Sequence, residues 1–114
     1  MNTQDQKLLE MAARAAGAEK VTIQLYNGLE RDSFWLDSSE WNPIEDDSDA
    51  FRLAVELGIG FIPDYEVGEV NTTYMIGRYG YNTNEEFESC PLSATRRAIV
   101  RAAAAIGKQL EGKV

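Results

Sequence analysis

The stretch Ser89-Cys90-Pro91-Leu92-Ser93-Ala94-Thr95-Arg96-Arg97-Ala98-Ile99-Val100-Arg101-Ala102-Ala103-Ala104-Ala105-Ile106-Gly107-Lys108 decides the fold class. Pro91 suits the first helical position, where its missing amide hydrogen leaves nothing unpaired, and Ser89 or Cys90 stands ready to cap. Ile99, Ala102, Ala103, Ile106 and Leu110 recur at helical spacing as one apolar stripe, while Arg97, Arg101 and Lys108 share the opposite face. The alanines at 102–105 let another layer approach closely. A helix of this kind is stable only against an apolar partner, which the rest of the chain must supply.

Two further helices are expected upstream. Asp46-Asp47-Ser48-Asp49 provides N-caps and negative charge for the positive end of a helix dipole. Ala50, Leu53, Ala54 and Leu57 then form a stripe, flanked by Phe51 and Val55, before Gly58, so a helix is expected over 48–57. Near the start, Thr3 to Gln6 reads as a capping box, Leu8 to Ala16 keeps three- and four-residue spacing, and Gly17 provides a left-handed stop. That helix is expected over 4–16.

Between the helices the period changes to two. Val21 to Tyr26 alternates apolar and polar residues and ends at the turn pair Asn27-Gly28. Ser33 to Leu36 either returns as its hairpin partner or lies in a loop. Ile59 to Ile62, closed by Pro63-Asp64, and Val70 to Tyr79, ended by Gly80, read as antiparallel strands. Tyr81 to Phe87 either extends that sheet or is loop. No repeat, linker or low-complexity segment is evident, so residues 1–114 are expected to form one α+β domain, ordered α-β-α-β-β-α, with helices layered on a small, mostly antiparallel sheet.

Composition narrows the function. The 114 residues are 44% hydrophobic with a net charge of −8, a globular balance with no apolar run long enough to span a bilayer, and the polar stretch MNTQDQK has no hydrophobic segment, so a soluble, unsecreted protein is expected. One cysteine cannot form an internal disulfide, which suits a reducing cytoplasm and makes the sequon at Asn71 irrelevant. Residues 1–90 hold 18 acidic and 6 basic side chains, and residues 91–114 hold 1 and 5. An acidic body repels phosphate backbones, so nucleic acid and anionic membranes are poor partners.

Catalysis and metal binding are not expected. The chain has no histidine, which removes the commonest general base near neutral pH and the commonest metal ligand. Glu45, Asp46, Asp47 and Asp49 lack the spacing of a calcium loop, and capping in a solvated loop explains them better. Cys90, at a helix start, has the helix dipole but no histidine to activate it, so a buried or capping role is the better reading. The glycine pairs Gly58-Ile59-Gly60 and Gly77-Arg78-Tyr79-Gly80 lack a phosphate-binding pattern. Tyr74, Tyr79, Tyr81 and Phe87, among carboxylates, are better core and sheet residues than base-stacking ones.

Two surfaces are left as candidate binding sites. Asp37 to Asp49 carries six carboxylates and no cation, interrupted by Trp41-Asn42-Pro43-Ile44. With Trp35 it makes a candidate protein contact formed by Trp35, Trp41, Glu45, Asp46 and Asp47, in which each tryptophan either anchors the loop to the core or is an interface hot spot. Arg96, Arg97 and Arg101 either bind an anion, such as a nucleotide, or pair with the chain's own acids, the reading favoured here.

Trp41-Asn42-Pro43, running through Asp46 to Leu57, and Cys90-Pro91-Leu92-Ser93-Ala94-Thr95-Arg96-Arg97-Ala98 resemble the bacteriophage ABA-sandwich domain proteins. These pair a Trp-and-Pro loop leading into a capped Ala-rich helix with a later Pro-Leu-led helix carrying Arg then Ala. The resemblance spans residues 41–110 and implies a phage or prophage origin and a helix-sheet-helix sandwich, with no activity, cofactor or catalytic residue to carry over. The expectation is a non-enzymatic phage accessory protein of the host cytoplasm that binds a host or phage protein, such as a component of a host defence system. A small-ligand binder for an anionic nucleotide is the alternative, and a homodimer is compatible with either.

Overall fold

A computed structural model describes residues 3–111 of the chain. Three helices and six strands follow in the order α1 (Thr3–Ala16), β1 (Glu19–Gln24), β2 (Glu30–Leu36), β3 (Ser39–Glu40), α2 (Asp47–Leu57), β4 (Gly60–Asp64), β5 (Glu69–Ile76), β6 (Tyr79–Glu86) and α3 (Pro91–Glu111). The protein is α+β, as expected, but the strands form two antiparallel three-stranded sheets, β1-β2-β3 and β4-β5-β6, rather than one. The order α-β-α-β-β-α is corrected to a helix followed by three strands, twice over, and a closing helix. No sequence repeat accompanies this doubling.

The unexpected strands arise from tight turns. Asp37 and Ser38 both adopt positive φ, 51° and 69°, which closes a two-residue turn that brings Ser39-Glu40 back onto Trp35-Leu36. Aspartate tolerates this conformation through its short polar side chain, so no Asn-Gly signal marks the turn. Gly77, at φ 63°, opens a second two-residue turn with Arg78, and Ile76 pairs with Tyr79 across it. The run from Val70 therefore ends at Gly77 and not at Gly80, and Tyr81 to Phe87 resolves into strand as far as Glu86. Ser33 to Leu36 does return as the hairpin partner of β1, with Lys20 opposite Phe34.

The helix ends follow the local chemistry read from the sequence. Asp46 caps α2 from extended backbone (φ −114°, ψ 120°), its carboxylate accepting from the Asp49 amide, and Gly58 ends the helix at φ 68°. Pro91 is the first residue of α3. α1 stops at Gly17 (φ 80°), as expected, and starts at Thr3, one residue before the expected start, where Gln6 Nε2 donates to Asp32 Oδ2 at 3.1 Å.

α3 organises the interior, packing on α1, on α2 and on the β4-β5-β6 sheet. Leu9, Ala12 and Ala13 of α1, Leu53 and Ala54 of α2, and Ile99, Val100, Ala102 and Ala103 of α3 share one core with Phe34, Trp41 and Tyr74. Val70, Ala94 and Ala98 form a second cluster with Phe61 and Phe87. Because α3 is covered on several sides, its buried surface is wider than the single stripe read from the sequence: Ala94, Ala98, Val100 and Ala104 are buried too, whereas Leu110 is exposed. Gly107 lets α1 approach within backbone contact.

Alternation along β5 sends Val70, Thr72 and Tyr74 toward the helices and leaves Thr73 and Met75 on an exposed outer face with Ile62 of β4. Among the described residues no helix is long and apolar enough to cross a membrane.

Candidate binding surface

The acidic segment after β3 is fastened to the fold rather than free. Trp41, Pro43 and Ile44 are buried, with Trp41 only 4% exposed. Asp49 Oδ2 accepts from the Asn42 amide at 2.9 Å, Asp46 caps α2, and Asp47 accepts from Arg96 Nη1 at 2.7 Å. Arg96 Nε also donates to the Ile44 carbonyl at 2.7 Å, tying the loop to α3. These carboxylates diverge to separate partners. Among the described residues no group of three acidic or cysteine side chains converges as an ion site would require.

The candidate contact read from the sequence is thereby divided. Trp41 is a correction: it anchors the loop in the core and is not at the surface. Trp35 remains partly exposed, 36%, and its Nε1 donates to Ser33 Oγ at 2.9 Å. It lines a shallow depression with Val21 and Leu36, apart from the cavity beside Trp41. Glu45, Asp46 and Asp47 stay exposed at the start of α2.

Arg96, Arg97 and Arg101 each meet a carboxylate of the same chain. Arg97 grips Asp5 of α1 through both guanidinium ends, with Nη2 3.2 Å from Oδ2. Arg101 Nε lies 3.0 Å from Glu85 Oε2 of β6, and Arg96 holds Asp47. The hydrogen bond from Arg97 holds the Asp5 carboxyl below the ordinary carboxylate value, against the opposing effect of its burial, and the same contact raises Arg97. Arg96 points to α2 while Arg97 points to α1, so a bound anion would have to displace internal partners. Cys90 is half-buried, and its thiol is pulled below the usual value, first by the Ser93 hydroxyl and then by the Ser93 and Leu92 backbone amides.

Beside the acidic segment lies a feature the sequence reading missed. α2, β4 and the first turn of α3 enclose an open groove of about 290 Å³ lined by Phe51, Phe61, Pro63, Tyr65 and Leu92, with Asp47 and Arg96 on one wall. Phe51, Tyr65 and Leu92 are 62%, 74% and 64% exposed, although each is large and apolar. Tyr65 is propped by an edge-to-face contact with Phe87 at 5.1 Å. The available signal was that Phe51 falls beside the buried stripe of α2. Its meeting with β4 and α3 depends on the tertiary fold.

A larger cavity of about 520 Å³ under β2 is polar, and its charged groups have partners: Asp32 accepts from Gln6 and Thr22, and Glu40 from Arg31. No family model, curated protein or solved structure matches this chain.

Proposed function

We propose that this chain is a non-enzymatic phage accessory protein that works by binding another protein through the groove between α2, β4 and α3. The observation that carries this reading is the clustering of Phe51, Tyr65 and Leu92, each more than half exposed, around one concavity. Contiguous exposed apolar surface rimmed by polar groups is characteristic of interaction sites. The neighbouring Glu45, Asp46 and Asp47 set the chemistry of the partner: an apolar segment flanked by Lys or Arg. In a phage accessory protein such a contact would occupy a basic surface of a host defence component. The arginines support the nucleotide alternative less well, because all three are engaged by carboxylates of the chain itself.

Selection of displayed peptides on the full chain tests the reading. Enriched peptides should carry apolar anchors beside basic residues, and their affinity should fall at least about tenfold on Phe51→Glu or Leu92→Glu, which removes a central anchor. Acidic winners, or winners that bind both variants undiminished, would refute it.

A further inference from the structure

The hydrogen-bonding edge of β6 is open, and its pairing pattern states which groups it offers. Phe87 donates its amide to the Gly68 carbonyl at 2.9 Å, so the hydrogen-bonded pairs of β5 with β6 include Gly68–Phe87 and continue at every second residue to Ile76–Tyr79. The odd-numbered residues of β6 thus bond to β5, and the backbone groups of Gly80, Asn82, Asn84 and Glu86 point outward. Among the described residues no strand pairs with that side.

The other edge of the sheet is guarded. Val70 spends its backbone groups on β6, so Pro63, its partner on β4, turns its nitrogen outward, where proline has no hydrogen to offer. β6 has no proline over its eight residues, and Tyr79 and Tyr81 are 67% and 47% exposed along it.

We propose that two copies of this chain join through β6, pairing antiparallel about a two-fold axis at Asn82 to make one six-stranded sheet. The outward pattern admits only registers in which even-numbered residues face even-numbered residues. With a net charge of −8, each copy repels the other unless cations meet anions at the contact. The register centred on Asn82 meets that demand: Gly80 faces Asn84, and Arg78 of each copy, in the turn that opens β6, comes beside Glu86 at the far end of the other copy's strand. One step further along, Glu86 faces Gly80 and Arg78 is set against Glu88 (φ 55°), so that both members of the charged pair lie outside the strand. Opposite charges brought side by side across an antiparallel contact favour the first arrangement, which keeps Glu86 on the strand.

Sedimentation over a concentration series of the full chain tests this. The wild type is expected to move from 12.7 kDa toward twice that mass. Asn82→Pro deletes an outward amide without touching the β5 ladder, and should leave a monomer with unchanged circular dichroism. Arg78→Glu and Glu86→Arg should each weaken the dimer about tenfold by reversing two cross-strand pairs. An equimolar mixture of the two variants should recover it, because each restores the other's pairs. A wild type that stays monomeric, a dimer that survives Asn82→Pro, or a mixture no tighter than its components would overturn the proposal. The mixing arm keeps the test valid if the proline variant fails to fold.

Discussion

Gly107 of α3 lies so close to Met11 of α1 that a Cβ at position 107 would stand 1.9 Å from the Met11 carbonyl oxygen. Replacing Gly107 by alanine therefore sets two effects against each other. Helix propensity favours alanine by about 1 kcal/mol, whereas forcing two packed backbones apart costs about 1 to 3 kcal/mol or more. Backbone cannot rotate away as a side chain can, so the clash wins. Gly107→Ala is expected to lower the urea midpoint, and a stabilised variant would show that α1 and α3 do not approach this closely.

The Asp5–Arg97 pair carries a pH signature. Its carboxyl is lowered in the folded state by the Arg97 hydrogen bond, so the folded protein binds that proton less readily than the unfolded chain. The stabilisation is complete above the ordinary carboxylate range and disappears as pH falls through the lowered folded value. Asp5→Asn should cost about 2 kcal/mol at pH 7, the scale of a hydrogen bond between charged groups. Urea titrations at successive pH values should find the gap between wild type and variant closing in acid. A gap that ignores pH would mean that the pair is not ionised as described.

Trp41 and Phe51 should separate core from contact. Trp41→Ala empties a buried site and is expected to cost about 3 to 5 kcal/mol. Phe51→Ala removes a side chain that is 62% exposed and should change stability by no more than about 0.5 kcal/mol while weakening peptide binding. Thermal melts read beside binding isotherms check both. A large stability loss at Phe51 would assign it to packing rather than to recognition.

Cys90 should behave as a thiol of lowered pKa. The Ser93 hydroxyl is the first cause, so Ser93→Ala should move the midpoint of its alkylation rate to higher pH. An unchanged profile would leave the effect to the backbone amides and the Arg96 charge.

Much of the fold was legible wherever a short stretch of chain carried its own instruction. Asp46 four residues before Ala50, Gly58 past Leu57, and Pro91 at the head of the alanine-rich run each place a helix end by chemistry within one turn. Ser39-Glu40 was illegible, because two polar residues become a strand only through pairing with Trp35 and Leu36. The bond from Gln6 to Asp32 was illegible for the same reason: the two lie 26 residues apart.

Of the candidate site, the exposed carboxylates at 45–47 and the internal pairing of the arginines could be reasoned from charge alone. The groove could not, since Phe51, Tyr65 and Leu92 belong to three separate segments.

By itself, then, the sequence determined three amphipathic helices, the strands begun near Val21, Ile59 and Val70, an acidic body and the absence of histidine, all properties of neighbouring residues or of composition. Only the tertiary structure decided that the strands divide into two sheets, that Trp41 is inside, and that three apolar side chains share a concavity. Those outcomes depend on which distant surfaces bury each other, and burial is a property of pairs of segments that no local period encodes.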